Sequence, residues 1–239
     1  MKYVEISFAD PARNLACDEL LLDLCETAEA GGILRLWQSA DYFVVLGYSN
    51  KIASEVNVAA CAARQIPILR RFSGGGAVVQ GPGCLNYSLI LRNPRRGFSG
   101  DIAASFRKVL EPHQRLLSRL LSRSVAIEGI SDLTVSGKKF SGNSQHRKPA
   151  YTLFHGTFLL HFDLPVIDKT LHMPSRQPAY RRLRSHEDFL TNIPIAPAEL
   201  RTALREQWAA DDELECLWGD RLDQLVRDRY GRREWNCKF

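Results

Sequence analysis

Strand-forming runs fill the first two thirds of the sequence and helical runs its end, with no regular strand-helix-strand alternation. That order restricts the fold most, because each parallel strand pair needs a crossover, usually a helix. "YVEISF" alternates apolar and polar residues as a half-buried strand does. "NLACDELLLDLCETAEA" carries Leu15, Leu20, Leu21, Leu24 and Cys25 at helical spacing before Gly31 and Gly32. "ILRLWQS" and "YFVVLGYS", joined by Ala40-Asp41, are expected to form a β-hairpin. "PILRRFS", "GAVVQ", "CLNYSLILR", "SVAIEG" and "YTLFHGTFLLHF" add strands, and "DIAASFRKVLEPHQRLLSRLLSR" shows the helical period. Past Pro197, "AELRTALREQWAA" and "RLDQLVRDRYGRR" read as helices. The expected class is α+β, with a mixed, mainly antiparallel sheet packed with helices.

A chain of 239 residues with 45% apolar residues can bury one sizeable core, with room for a small appendage. The start, "MKYVEISFADPARN", lacks the apolar run of a signal peptide, and no window reaches the length that spans a bilayer. A cytoplasmic protein without a membrane segment is expected. The six cysteines, at 17, 25, 61, 84, 216 and 237, form no CxxC, the pattern of reduced thiols used as small apolar fillers. The formal charge of +5 suits an acidic ligand or partner and does not call for nucleic acid. Much of the excess is clustered, at Arg70 and Arg71, Arg95 and Arg96, Lys138 and Lys139, and Arg181, Arg182 and Arg184.

"RRFSGGGAVVQ" sets Arg70, Arg71 and Ser73 before Gly74, Gly75 and Gly76, then Ala77, Val78 and Val79. Three glycines inside strand-like sequence mark a tight bend or a surface where a ligand lies against the main chain. It is not a P-loop, because Gly137-Lys138 is followed by Lys139 with no glycine five residues earlier; the dinucleotide GxGxxG fails because position 79 is Val. "DLTVSGKKFSGNSQHRK" follows, with Lys138, Lys139, Ser141 and Gly142. On a strand the two lysines point to opposite faces, so at most one can face a site. In "FHGTFLLHF", His155 and Gly156 are neighbours of such a site. No HExxH, cysteine pair or GxSxG occurs, so no metal site is expected; Cys84 with His155 as base is the only thiol reading.

Three blocks in order, "LRLWQSADYFVVLGYSN", "RRFSGGGAVVQ", and "GKKFSGNSQ" with "FHGTFLL", resemble the lipoate-protein ligase and octanoyltransferase family, relatives of biotin-protein ligases, over about residues 1 to 195. The resemblance implies a catalytic domain over 1–195, related to class II tRNA-synthetase cores, and a short helical extension over 196–239. It implies lipoate or octanoate as substrate, ATP with Mg, an acyl-adenylate, and transfer to a lysine of a lipoyl-acceptor domain or glycine-cleavage H-type protein. Arg71 matches the arginine that contacts the adenylate, Gly76 to Val79 the segment against the nucleotide, and Lys139 the essential lysine. Trp37, Phe43 and Val45 are candidates for the acyl slot.

Two departures stand out. Gln80 replaces the histidine that many members have after the glycine strand, and only about 44 residues follow Ile195 where ligases often carry an accessory domain. Adenylation is therefore expected to need a separate partner protein, unless the tail replaces that domain. The octanoyltransferase branch works through a cysteine, and none lies between Cys84 and Cys216, which favours the ligase. An acyl-carrier transferase and a non-catalytic binding module are the alternatives. A biotin ligase fits less well, because "GKKFSG" is of the lipoate type. A monomer is expected, since the acceptor must reach the site.

Overall fold

The computed structural model describes residues 1–28, 31–94, 100–215 and 219–239. Arg95, Arg96 and Cys216 lie outside them. In chain order the elements are β1 (Lys2–Glu5), α1 (Pro11–Ala28), β2 (Ile33–Trp37), β3 (Phe43–Leu46), α2 (Ile52–Glu55), α3 (Val58–Ala63), β4 (Ile68–Arg70), β5 (Val78–Gln80) and β6 (Cys84–Arg92). Then come α4 (Ile102–Leu121), β7 (Val125–Glu128), β8 (Asp132–Val135), β9 (Lys138–Arg147), β10 (Tyr151–Leu159) and α5 (Pro165–Thr170). A 3-10 turn (Ala179–Arg181), α6 (His186–Phe189), α7 (Pro197–Gln207), β11 (Asp212–Glu213), α8 (Gly219–Leu225), a π turn (Val226–Tyr230) and α9 (Arg233–Asn236) complete the described chain.

Eight strands form one sheet in the order β11-β1-β2-β6-β10-β9-β8-β7, and three form a second in the order β4-β3-β5. In the large sheet β1 runs parallel to β2 and β11, and the other pairs are antiparallel. This is the α+β class with a mixed, mainly antiparallel sheet. The expected hairpin of "ILRLWQS" and "YFVVLGYS" does not form: β2 pairs with β1 and β6, whereas β3 pairs with β4 and β5 in the other sheet. Both strands are buried along their whole length, so each needs cover on both faces, which interior strands have and an isolated hairpin lacks.

The period-2 alternation of β2 sorts its side chains. Leu34 and Leu36 join the core under α4 and α7, while Ile33 and Trp37 join the core against α1, the face Arg35 shares. α4 tolerates Pro112 at mid-length and presents Phe106, Val109, Leu110, His113, Leu116 and Leu117 to the first core. His113 is fully buried; its Nε2 accepts from Trp208 Nε1 at 3.1 Å, and burial pushes its pKa down to about 3. The unfolded chain protonates this ring near pH 6.5 and the folded chain does not, so between those values the unfolded state binds the extra proton and stability falls as pH falls. We expect a loss of a few kcal/mol by about pH 4, read as Tm against pH, and a flatter profile in His113→Gln.

No helix among the described residues is long and apolar enough to cross a membrane. Segments beyond residue 195 are built into the fold: β11 pairs with β1, and α8 and the π turn pack on α1.

Candidate active site

A cavity of about 670 Å³ is bounded by residues of both sheets and of the segment from His172 to Leu190. Its wall includes Arg71, Gly75, Gly76, Ala77, Val78, Val79, Lys139, Ser141, Gly142, His155 and Gly156, so most of the expected site residues meet there. Trp37 and Val45 line it with Leu15, while Phe43 is buried in the core against α1. Arg70, Ser73 and Gly74 do not line it: the first two are buried and Gly74 is exposed. Arg70 is fully buried and sends its guanidinium to the carbonyls of Gly47, Tyr48 and Asn50.

The glycine loop is held by the arginine that precedes it. Arg71 Nη2 donates to the carbonyls of Gly74 (2.7 Å) and Gly76 (2.9 Å), and Nε to Ser73 Oγ and the Gly74 carbonyl (both 3.1 Å). Gly75 has φ +92°, a conformation open to glycine, and a Cβ there would meet Arg71 Nη2 at 2.7 Å. A Cβ on Gly74 or Gly76 would meet nothing within 4 Å, which leaves open space beside the main chain. Among the described residues no acid pairs with Arg71. Burial lowers its pKa to about 10, so it remains a cation at neutral pH.

From the loop a chain of bonds crosses to the large sheet. Ser73 Oγ lies 2.6 Å from His155 Nε2, His155 Nδ1 lies 3.2 Å from Asp18 Oδ2, and Asp18 Oδ1 accepts from Arg35 Nη1 at 2.7 Å. Asp18, on α1, is buried; burial alone would raise its carboxyl, but Arg35 and the contact with His155 outweigh it and hold the pKa below the usual value. Asp18 as a carboxylate accepts Nδ1–H, and at the other end of the chain of bonds Ser73 Oγ accepts from Arg71 Nε. Ser144 Oγ, on β9, donates to the Gly74 carbonyl at 2.9 Å and adds a second tie.

Lys139 stands across the cavity on β9. Ser136 and Gly137, both at positive φ, make the tight turn from β8, and the alternation leaves Lys138 exposed and Lys139 half-buried. Lys139 Nζ pairs with Asp132 Oδ1 at 2.8 Å, and Asp132 Oδ2 accepts from Tyr180 at 2.7 Å. A Cβ on Gly142 would lie 2.8 Å from Nζ, so this glycine makes room for the ammonium. Asp18, Asp132 and Tyr180 escape sequence reading; each gains its place through contacts far along the chain, and only Asp132 falls in a stretch the spacing marks.

The thiol reading does not survive the geometry. Cys84 pairs with Leu159 in the sheet register, four residues or about 13 Å along β10 from His155. It is fully buried in the core of the small sheet, and burial pushes its pKa up to about 12. No described cysteine lines the cavity.

A two-sheet α+β domain thus sets a glycine loop, a buried arginine and a strand lysine around one cavity. The family model for the lipoyl protein ligase A/B catalytic domain matches residues 10–204, and the chain belongs to that family. It is 26% identical to an octanoyltransferase LipM of Brevibacillus brevis, over 99% of this chain and 98% of that protein. It is equally 26% identical to lipoate-protein ligase 1 of Staphylococcus aureus, over 99% of this chain and 73% of that protein. Its fold is similar to that of a bi-partite lipoate protein ligase of Thermoplasma acidophilum, studied with its E2 lipoyl domain (TM-score 0.79, 23% identity, 99% of this chain and 95% of that chain). The relatives thus divide between ligases and octanoyltransferases.

Proposed function

We propose that the chain is an ATP-dependent lipoate or octanoate protein ligase. One observation carries the choice within the family: the described wall of the cavity offers four cations, Arg71, Lys139, Arg176 and Arg181, and no thiol. A ligase needs fixed positive charge for a carboxylate, a polyphosphate and an adenylate; a transferase needs a nucleophile to hold the acyl group.

In this reading the acyl chain lies against Leu15, Trp37 and Val45, and its carboxylate attacks the α-phosphorus of ATP, releasing pyrophosphate. The main chain of Gly76 to Val79 lies against the nucleotide, and Arg71 sets both the loop and the local potential. Lys139 stabilises charge growing on the carbonyl and phosphate oxygens while the acceptor amine displaces AMP. Among the described residues no three His, Cys, Asp or Glu side chains group to hold a metal. A magnesium ion would thus arrive with the ATP phosphates and take one or two carboxylates at most, as is common for this ion. The acceptor is a lipoyl domain or an H-type protein. The lining side chains run from Leu15 to Leu190, which supports reading 1–195 as the catalytic unit and 196–239 as its brace.

Intact-mass measurement of a lipoyl domain incubated with the protein, octanoate or lipoate, magnesium and ATP tests this. A mass gain that requires ATP and persists in Cys84→Ser and Cys216→Ser is the expected result. A gain from an acyl-carrier thioester without ATP, lost in either variant, would establish the transferase. A gain only from preformed acyl-adenylate would show that activation needs a partner.

A further inference from the structure

β4 is the edge strand of the small sheet, so the outward backbone groups of Arg70 need partners from outside it. They find them in the last residues of the described chain: Arg70 N–H donates to Asn236 Oδ1 (2.8 Å), and the Arg70 carbonyl accepts from Trp235 Nε1 (2.8 Å). The guanidinium joins the same contact, with Nη2 donating to the Asn236 carbonyl (3.2 Å) and its carbon 5.4 Å from the Phe239 ring centroid. Asn236 Nδ2 donates to the Tyr230 carbonyl, and Tyr230 donates to Glu19 on α1 at 2.6 Å, next to Asp18. The segment is therefore anchored at both ends.

What Arg70 does with its remaining donors links this anchor to the cavity. Nη1 holds the carbonyls of Gly47, Tyr48 and Asn50 at 2.8, 3.1 and 2.8 Å. That turn in turn sets the glycine loop: Tyr48 N–H donates to the Ser73 carbonyl at 2.8 Å, and Gly47 lies so close that a Cβ on it would be 2.0 Å from the Gly75 carbonyl oxygen. Ile52 N–H, just beyond the turn, bonds the Phe239 carbonyl at 3.3 Å.

We infer that residues 230–239 form a positioning clasp for the glycine loop, acting through Arg70 and the 47–50 turn, and that Trp235 and Asn236 are its positioning residues. Arg70 is then the hub of the clasp, and Arg71 and Gly75 are the residues it delivers to the nucleotide. The inference rests on the ligase reading for its kinetic consequence and on geometry alone for its mechanical one.

The full-length variants Trp235→Phe, which keeps the ring and removes one N–H, and Asn236→Ala test it. Trp208→Phe, which removes the bond to His113 on the other side of the large sheet, is the control for general destabilisation. In both clasp variants KM for ATP is expected to rise about tenfold with kcat within about twofold, and amide exchange to quicken at Tyr48 and Asn50, whose N–H groups donate to the Ser73 and Gly47 carbonyls. Trp208→Phe should lower Tm without either change. Equal KM and unchanged exchange in the clasp variants, whatever happens to Tm, would overturn the proposal. Should the unmodified protein show no ATP-dependent acylation, the ligase reading fails; amide exchange then decides the clasp by itself, and protection at Tyr48 and Asn50 unaltered in Trp235→Phe overturns it.

Discussion

Acyl transfer by a Lys139→Ala variant is expected to fall by roughly 10²- to 10³-fold, the usual loss when one group that meets developing negative charge is removed. The ammonium is held by Asp132 at 2.8 Å, in the gap that Gly142 leaves. That fixation lets it meet charge on the carbonyl and phosphate oxygens without reorganising. Its removal also leaves the Asp132 carboxylate near the cavity with only the Tyr180 hydroxyl, which adds repulsion toward an adenylate. Lys139→Arg should recover little, because a planar fork does not fit the space of a compact ammonium beside Gly142. Single-turnover transfer from preformed acyl-adenylate measures the effect apart from activation. A loss under about threefold would remove Lys139 from the transfer step.

Arg71→Ala should weaken ATP binding by at least about tenfold and lower stability by on the order of 1–3 kcal/mol. Both effects come from one side chain that does two jobs. It bridges the Gly74 and Gly76 carbonyls, so its loss frees the loop, and it is a buried cation without an acid partner among the described residues, so its loss removes the charge an anionic ligand would offset. Arg71→Lys separates the two: it keeps the charge and cannot span Ser73, Gly74 and Gly76 together, and should bind ATP between wild type and Arg71→Ala. Titration calorimetry reads the order directly. Equal ATP affinity in all three proteins would place the nucleotide away from the glycine loop.

The sequence is most legible where a local conformation carries the constraint. Gly75 announces itself because its φ is closed to other residues, and the Ser136-Gly137 turn fixes which of Lys138 and Lys139 faces inward. The long helices α1, α4 and α7 and most strands follow from period; the short α2, α3, α5, α6 and α9, of four to six residues each, give too few positions for a period to show. Partner choice among strands does not: the run from Ile33 to Leu46 reads as a hairpin because adjacency in sequence is the cheapest pairing, and the fold instead sends β2 and β3 to different sheets. The relay through Asp18 and the clasp at Trp235 were illegible for a related reason. Asp18 and His155 are 137 positions apart, and Trp235 and Arg70 are 165 apart, so only the folded topology brings them together. The role of Arg70 illustrates the limit well: it sits beside Arg71 in the same motif, yet one strand step turns it to the opposite side.

The bonds that Arg71, Ser144 and Tyr48 make to the glycine loop are all internal to the chain. They give up its conformational entropy when the chain folds, so in the ligase reading little ordering of the loop is left for a nucleotide to supply. Selectivity among acids of different length should then reside in how well each fills the space beside Leu15, Trp37 and Val45, and association should be limited by diffusion and access rather than by rearrangement of the loop.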